Sequence, residues 1–183
     1  MSEPDFQPTL VGPNITIRPI RPDDWTGLYA AGSDPKIWEV HPVSTRYTEP
    51  EFRKFFDGAV ASNMGFAFVD RATGRLIGSS RYYGYEREIG EIEIGWTFLA
   101  RSHWGGGANR EVKRMMLDHA FSFVETVVFW VGHENWRSQG AMTKIGGVKR
   151  EGLFTRAISG DQPYFIFEVT KSRYEAGGRA LLA

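Results

Sequence analysis

The stretch RSHWGGGANREVKRMM, Arg101 to Met116, decides how the chain is read. Gly105, Gly106 and Gly107 follow a segment with strand character and precede one with helical character. Glycine takes positive φ without steric cost and lets a ligand approach the backbone closely. The first N–H groups of a helix lack intrahelical partners and lie at its positive dipole end. A glycine run that opens a helix is therefore a candidate anion seat, and a plain strand-to-helix connector is the competing reading.

After the glycines, Val112, Met115, Met116, His119, Ala120 and Phe123 recur at helical spacing and predict a helix to about Val124 with a wide buried face. The methionines read as core. TVVFWV (126–131) is a continuous apolar run, as in a strand covered on both faces. Strand, helix, strand implies a parallel crossover, with the glycine loop at the carboxyl end of the strand EIGEIEIGWTFLA (88–100), where ligands of α/β sheets sit.

Before the loop, NITIRPI (14–20) reads as a strand, and Asp23 or Asp24 caps a first helix to about Ala31. DPKIWEVHP (34–42) reads as a helical turn and loop, and Phe52, Phe55, Phe56 and Val60 mark an amphipathic helix over 49–63. GFAFVD and RLIGSSRYYGY form a hairpin. Beyond residue 131, Asn135 caps a helix that ends at Gly146 and Gly147, and a last hairpin turns around Ser159, Gly160 and Asp161. The sum is an α/β (α+β) domain. It has a mixed, mostly antiparallel sheet of six to seven strands, a central parallel pair, and helices on both faces.

At 183 residues the chain is expected to form one domain over 1–183. The ends, 1–12 and 175–183, offer little to bury and are expected to be loosely held. Lys plus Arg and Asp plus Glu number 22 each, so no global field draws the protein to nucleic acid or to an anionic membrane. No cysteine is present, which excludes disulfides, thiolate metal sites and an acyl-cysteine intermediate. The N-terminal residues are acidic and proline-containing and no apolar run approaches a membrane span, so a cytoplasmic protein is expected.

On the strand 88–100, alternation puts Glu91, Glu93 and Gly95 on one face and Ile92, Ile94 and Trp96 on the other. Two carboxylates beside a glycine suggest a polar cleft, and a glutamate in a partly dry cleft takes a proton near neutral pH. A solvated face with ordinary glutamates is the alternative. Other motifs fail on single letters. A P-loop needs Lys and Ser or Thr where Ala108, Asn109 and Arg110 stand, and a dinucleotide loop needs glycine at Arg110. His133 and Glu134 begin like a zinc-protease helix, but Arg137 occupies the place of the second histidine, and no metal is expected.

The run EIGW(x)7WGGGANREVKRMMLDHAF, followed by N(x)2S(x)3M(x)KIGG at Asn135 to Gly147, resembles the Gcn5-related N-acetyltransferase (GNAT) superfamily. Within it the chain is most similar to the branch that acetylates ribosomal-protein N-termini, antibiotics and other small amines. The resemblance runs from RPI(x)2DD at Arg18 to the final hairpin. It implies the acyl-CoA N-acyltransferase fold and acetyl-CoA as co-substrate. The coenzyme pyrophosphate would sit on the backbone of Trp104, Gly105, Gly106, Gly107, Ala108 and Asn109, with charge from Arg101 or Arg110. The pantetheine arm would lie against Thr97, Phe98 and Leu99 where two strands splay, touched by Asn135, with the Ser138 hydroxyl facing the sulfur. One departure is Ser102, which stands where the family carries Gln or Arg.

The reaction so implied is direct attack of an amine on the thioester, with backbone N–H groups stabilising the oxyanion. Glu93 would relay the amine proton, with Glu91 as the alternative, and Ser138 would protonate the thiolate. Trp38, Tyr82 and Tyr164, with Phe66, Tyr83 and Tyr85, are candidates to line an acceptor pocket. The acceptor is expected to be a small-molecule or peptide amine, and the protein a monomer or homodimer. A coenzyme-binding module without catalysis, and a different acyl donor, are the competing readings.

Overall fold

The β-branched and aromatic runs form strands and the amphipathic runs form helices, in an order that places one strand edge beside the glycine loop. The computed structural model describes residues 3–156 and 162–183. In chain order it contains β1 (Leu10–Val11), β2 (Ile15–Pro19), a 3-10 turn (Pro22–Asp24), α1 (Trp25–Gly32), α2 (Pro35–Trp38) and α3 (Glu49–Ala61). Then follow β3 (Gly65–Asp70), β4 (Leu76–Glu86), β5 (Glu91–Leu99), α4 (Ala108–Ala120), β6 (Thr126–Gly132) and α5 (Trp136–Lys144). The chain closes with β7 (Val148–Lys149), β8 (Tyr164–Thr170), α6 (Lys171–Ala176) and a 3-10 turn (Gly178–Leu182).

Among the described residues the strands form one sheet in the order β1-β2-β3-β4-β5-β6-β8-β7. All neighbours are antiparallel except β5 and β6, the parallel pair made by the α4 crossover. One apolar cluster, with Ile92, Ile94, Val112, Met116 and Leu117, fills the α4 side of the sheet. A second, with Leu28, Trp38, Phe52, Phe55 and Phe98, fills the side covered by α1 to α3.

The sheet has eight strands rather than six to seven. The additional strand is β1, in the stretch expected to be loose: Leu10 pairs with Ile17 and Val11 with Thr16, closed by Gly12 N–H donating to the Ile15 carbonyl at 2.9 Å. Phe6 also packs on Tyr85 and Phe123. The other end, too, has more to bury than its letters suggest. Leu182 is 3% exposed in the core, and the Tyr174 hydroxyl donates to Asp118 at 2.8 Å. Helix α4 ends at Ala120, short of the expected Val124. Asp24 is the N-cap residue of α1, but its carboxylate turns back to Arg18, at 2.6 and 2.8 Å, and to the Arg21 N–H. The expected turn at Ser159 to Asp161 lies outside the described residues.

The alternation along β5 breaks at Trp96, which takes φ +52° where the register with β4 shifts between Ser79 and Arg81. The resulting bulge re-aims every later side chain. Ile92, Ile94 and Leu99 belong to the α4 cluster, whereas Trp96 and Phe98 pack with the α1–α3 cluster. Trp96 is therefore not on the face of Ile92 and Ile94, as simple alternation predicts.

Candidate active site

β5 and β6 pair through Glu91–Thr126, Ile92–Val127 and Glu93–Val128, and no further pair follows although both strands continue. The strands diverge above Glu93. A groove of about 350 Å³ opens there, lined by Thr97, Phe98 and Leu99 on one side and Asn135, Arg137 and Ser138 on the other. At its outer end lie Trp104, Gly105, Gly106 and Asn109. The groove thus gathers nine of the residues expected to hold a coenzyme, while Gly107 and Ala108 stand beside it, as N-cap and first residue of α4.

The glycine loop has the openness a phosphate requires. Gly105 has φ +73°, and a Cβ added at Gly105, Gly106 or Gly107 would meet nothing within 4 Å. α4 begins directly behind it with its free N–H groups. Glu111 anchors that helix by accepting the backbone N–H groups of Asn14 and Ile15 at 2.8 and 2.9 Å. Trp104 is pinned by its indole N–H on the Leu99 carbonyl, 2.9 Å away, and faces the Arg137 guanidinium at 5.3 Å. On the other wall Asn135 caps α5, its side chain accepting the Ser138 N–H at 3.2 Å. Outward, a wider depression is lined by Arg110, Arg137 and Lys144. Arg101 is turned away to Asp34 at 3.4 Å, and the Ser102 hydroxyl meets His103 rather than the loop.

Inward, the groove continues through Thr97, His41, Asn135 and Ser138 into a cavity of about 90 Å³ bounded by Ile94, Lys113, Phe129, Trp130 and Tyr164. His41 accepts the Val43 N–H at Nδ1, and burial together with the Arg46 guanidinium pushes its pKa down to about 3, so the ring is neutral.

The predicted carboxylates separate. Glu91 is bound by Arg150, which also holds Glu168, low on the sheet where the strands still pair, and it lines neither cavity. Glu93 is 4% exposed and forms a two-point pair with Arg156, at 2.5 and 3.1 Å. Its carboxylate lies over Gly95, so close that a Cβ there would stand 2.6 Å from Oε1. Burial raises its pKa, and Arg156 and Arg81 offset part of that rise. Arg156 is boxed by Trp130, Trp96 and Tyr164, with its Cζ 4.6, 4.9 and 5.5 Å from the ring centres.

Of the aromatic candidates, Trp38 lines the groove and Tyr164 the inner cavity. Tyr82 lines neither. It is wholly buried on the α4 side, its hydroxyl on the Met116 carbonyl at 2.7 Å, because the position that alternation leaves open is covered by a helix. Sequence reasoning missed Lys113, His41, Arg137 and Arg156. Lys113 shares a helix face with Met116, Leu117 and Ala120, at i+3, i+4 and i+7, and only these apolar neighbours signalled burial. Arg156 lies far from Glu93 in sequence and carried no signal.

A splayed parallel pair, a groove at the divergence and a glycine loop opening a helix stand together at one end of the sheet. The model of the acetyltransferase (GNAT) domain family matches residues 14–148, and the chain belongs to that family. It is an acetyl-CoA-dependent N-acetyltransferase. A GCN5-related N-acetyltransferase from Brucella melitensis superposes with TM-score 0.83 at 21% identity, over 97% of this chain and 86% of that one. A GNAT-family acetyltransferase from Bacillus anthracis gives TM-score 0.71 at 20% identity, over 90% and 99%. The spermidine N-acetyltransferase from Vibrio cholerae, solved with CoA and spermine, gives TM-score 0.68 at 17% identity, over 90% and 99%. No curated protein matches the chain. Among the described residues no helix is long and apolar enough to cross a membrane, and no group of His, Asp or Glu is placed to hold a metal.

Proposed function

We propose that the groove holds acetyl-CoA along its length and that a primary amine, on a protein N-terminus or a small molecule, is acetylated at the inner cavity. The observation that carries this reading is the divergence of β5 and β6 above Glu93, which joins the glycine loop to the cavity in one channel. Gly105 to Asn109 receive the pyrophosphate, and Arg110, Arg137 and Lys144 receive the phosphorylated nucleoside end. Thr97, Phe98 and Leu99 pair with the arm, and Asn135 and Ser138 close it from α5. When bound, the coenzyme supplies an acetyl group already activated as a thioester.

The bulge at Trp96 serves the chemistry in this reading. A bulge leaves backbone groups out of the ladder, and a β5 N–H so freed stabilises negative charge on the carbonyl oxygen. Glu93 takes the amine proton through water. Arg156 occupies one lone pair on each of its oxygens and leaves the other available. Trp130 and Tyr164 supply aromatic walls for the acceptor. The ribosomal-protein N-terminal branch is the favoured home of the chain within the family, on the motifs at Arg18 and at Asn135 to Gly147.

Thiol release from acetyl-CoA with a panel of amines tests this. N-terminal peptides, aminoglycosides and polyamines are offered separately, and at least one is expected to be turned over at an ordinary rate of about 1 s⁻¹ or faster. Coenzyme binding without turnover of any amine would favour a binding module instead.

A further inference from the structure

Lys113 is a buried lysine with no carboxylate paired to it among the described residues. It extends from α4 into the space between the diverging strands and is 3% exposed. Its Nζ donates to Thr97 Oγ1 at 3.2 Å and lies 4.7 Å from the centre of the Phe129 ring. The hydroxyls around it have fixed roles. Ser80 Oγ donates to the Gly95 carbonyl at 3.1 Å, so Thr97 Oγ1, 2.8 Å away, donates to Ser80 and accepts from Lys113. That chain ends on a carbonyl and cannot take a proton from the lysine. The remaining N–H bonds of Lys113 have the cavity as their outlet, and Ser138 lines the same cavity.

We propose that Lys113, held between the splayed ends of β5 and β6 by Thr97 and Phe129, is the proton donor to the coenzyme sulfur as the thioester breaks. This rests on the proposed placement of acetyl-CoA in the groove. The amine nitrogen forms its bond to the acetyl carbon, the carbon–sulfur bond breaks, and the sulfur leaves with the electron pair. The sulfur takes a proton from the Lys113 ammonium, leaving a neutral amine that regains a proton from water through the groove. The amine's own proton goes to Glu93. Ser138, a far weaker acid, then orients the sulfur.

The electrostatics suit the role. Burial alone pushes the Lys113 pKa down to about 7, below the value of about 8.5 typical of a thiol, so transfer to the thiolate is downhill. The titratable groups that line the cavity from other elements are His41, held neutral, and Tyr164 of β8. Glu93 of β5 lies with Arg156 on the other face, and Glu111 of α4 is bound to Asn14 and Ile15. The burial also leaves a mark on folding. The folded pKa lies below the unfolded value of 10.5, so the destabilisation is complete below about pH 7 and is lifted as pH rises from there toward 10.5.

The test compares wild type with Lys113→Met and Lys113→Arg. Calorimetry with acetyl-CoA comes first, because failure of the wild type to bind overturns the groove assignment itself. With binding intact in the variants, both are expected to lose about 100-fold in kcat and to lose the alkaline limb of the wild-type kcat profile, where Lys113 deprotonates. Arginine keeps the charge but cannot release a proton, so its failure to rescue supports proton donation. Independently of activity, Lys113→Met is expected to melt higher than wild type at pH 7, by a margin that shrinks toward pH 10. An unchanged kcat with the alkaline limb retained in Lys113→Met would overturn the proposal. So would acetylation of Lys113 itself, seen by peptide mass spectrometry during turnover, since a neutral amide N–H is far too weak an acid to protonate a thiolate.

Discussion

Glu93→Gln is expected to lower kcat by about 100-fold or more, in the range of a lost general base, while the KM for acetyl-CoA stays near wild type, because Glu93 does not line the groove proposed for the coenzyme. The base must be ionised, and burial raises its pKa. Wild-type kcat/KM should therefore fall with acidification through a limb above the ordinary carboxylate range, and that limb should vanish in the variant. The same change breaks the ion pair of Glu93 with Arg156, whose side chain is 15% exposed, which costs about 3 kcal/mol, or roughly 6–12 °C in Tm at this length. The double variant Glu93→Gln with Arg156→Met removes both charges of the pair. It should recover much of the Tm and none of the kcat, which separates folding from chemistry in steady-state kinetics and a melting curve.

Gly78→Ala is expected to destabilise the centre of the sheet. Gly78 lies on β4 opposite Leu99, and a Cβ there would overlap the Phe98 carbonyl oxygen and stand 3.0 and 3.1 Å from the Phe68 and Leu99 side chains. The obstructing atom is backbone, so relief requires β5 to move away from β4 in the middle of the sheet. Overpacking of this kind costs about 3 kcal/mol, a fall of roughly 6–12 °C in Tm. Because the displaced residues are Phe98 and Leu99, the KM for acetyl-CoA should rise as well. Denaturant melts and coenzyme kinetics on the purified variant check both.

The elements that periodicity can carry were readable from the letters. The α4 stripe, the apolar run of β6, the Asn135 cap and the glycine loop all lie where local pattern puts them, and nine of the residues expected to hold the coenzyme line one groove. What escaped depends on tertiary geometry. The bulge at Trp96 inverts the facing of β5 beyond Gly95, and no residue type marks a positive φ at a tryptophan. Tyr82 has the composition of a pocket residue, but α4 covers it. Glu91 and Glu93 are identical in type and share a strand face. Only their partners, Arg150 at the paired end of the strand and Arg156 at the divergence, distinguish a sheet-edge ion pair from a candidate base. Lys113 shows the same limit from the other side: a charged letter on a helix reads as solvated until the fold places it between two strands.

The most direct measurement is a titration of acetyl-CoA into the protein, followed by heat and by melting temperature. The account predicts saturable one-to-one binding. At about 100 times Kd the added stability is about 2.7 kcal/mol, a rise of roughly 5–10 °C. Absence of both heat and a melting shift at millimolar acetyl-CoA would contradict it.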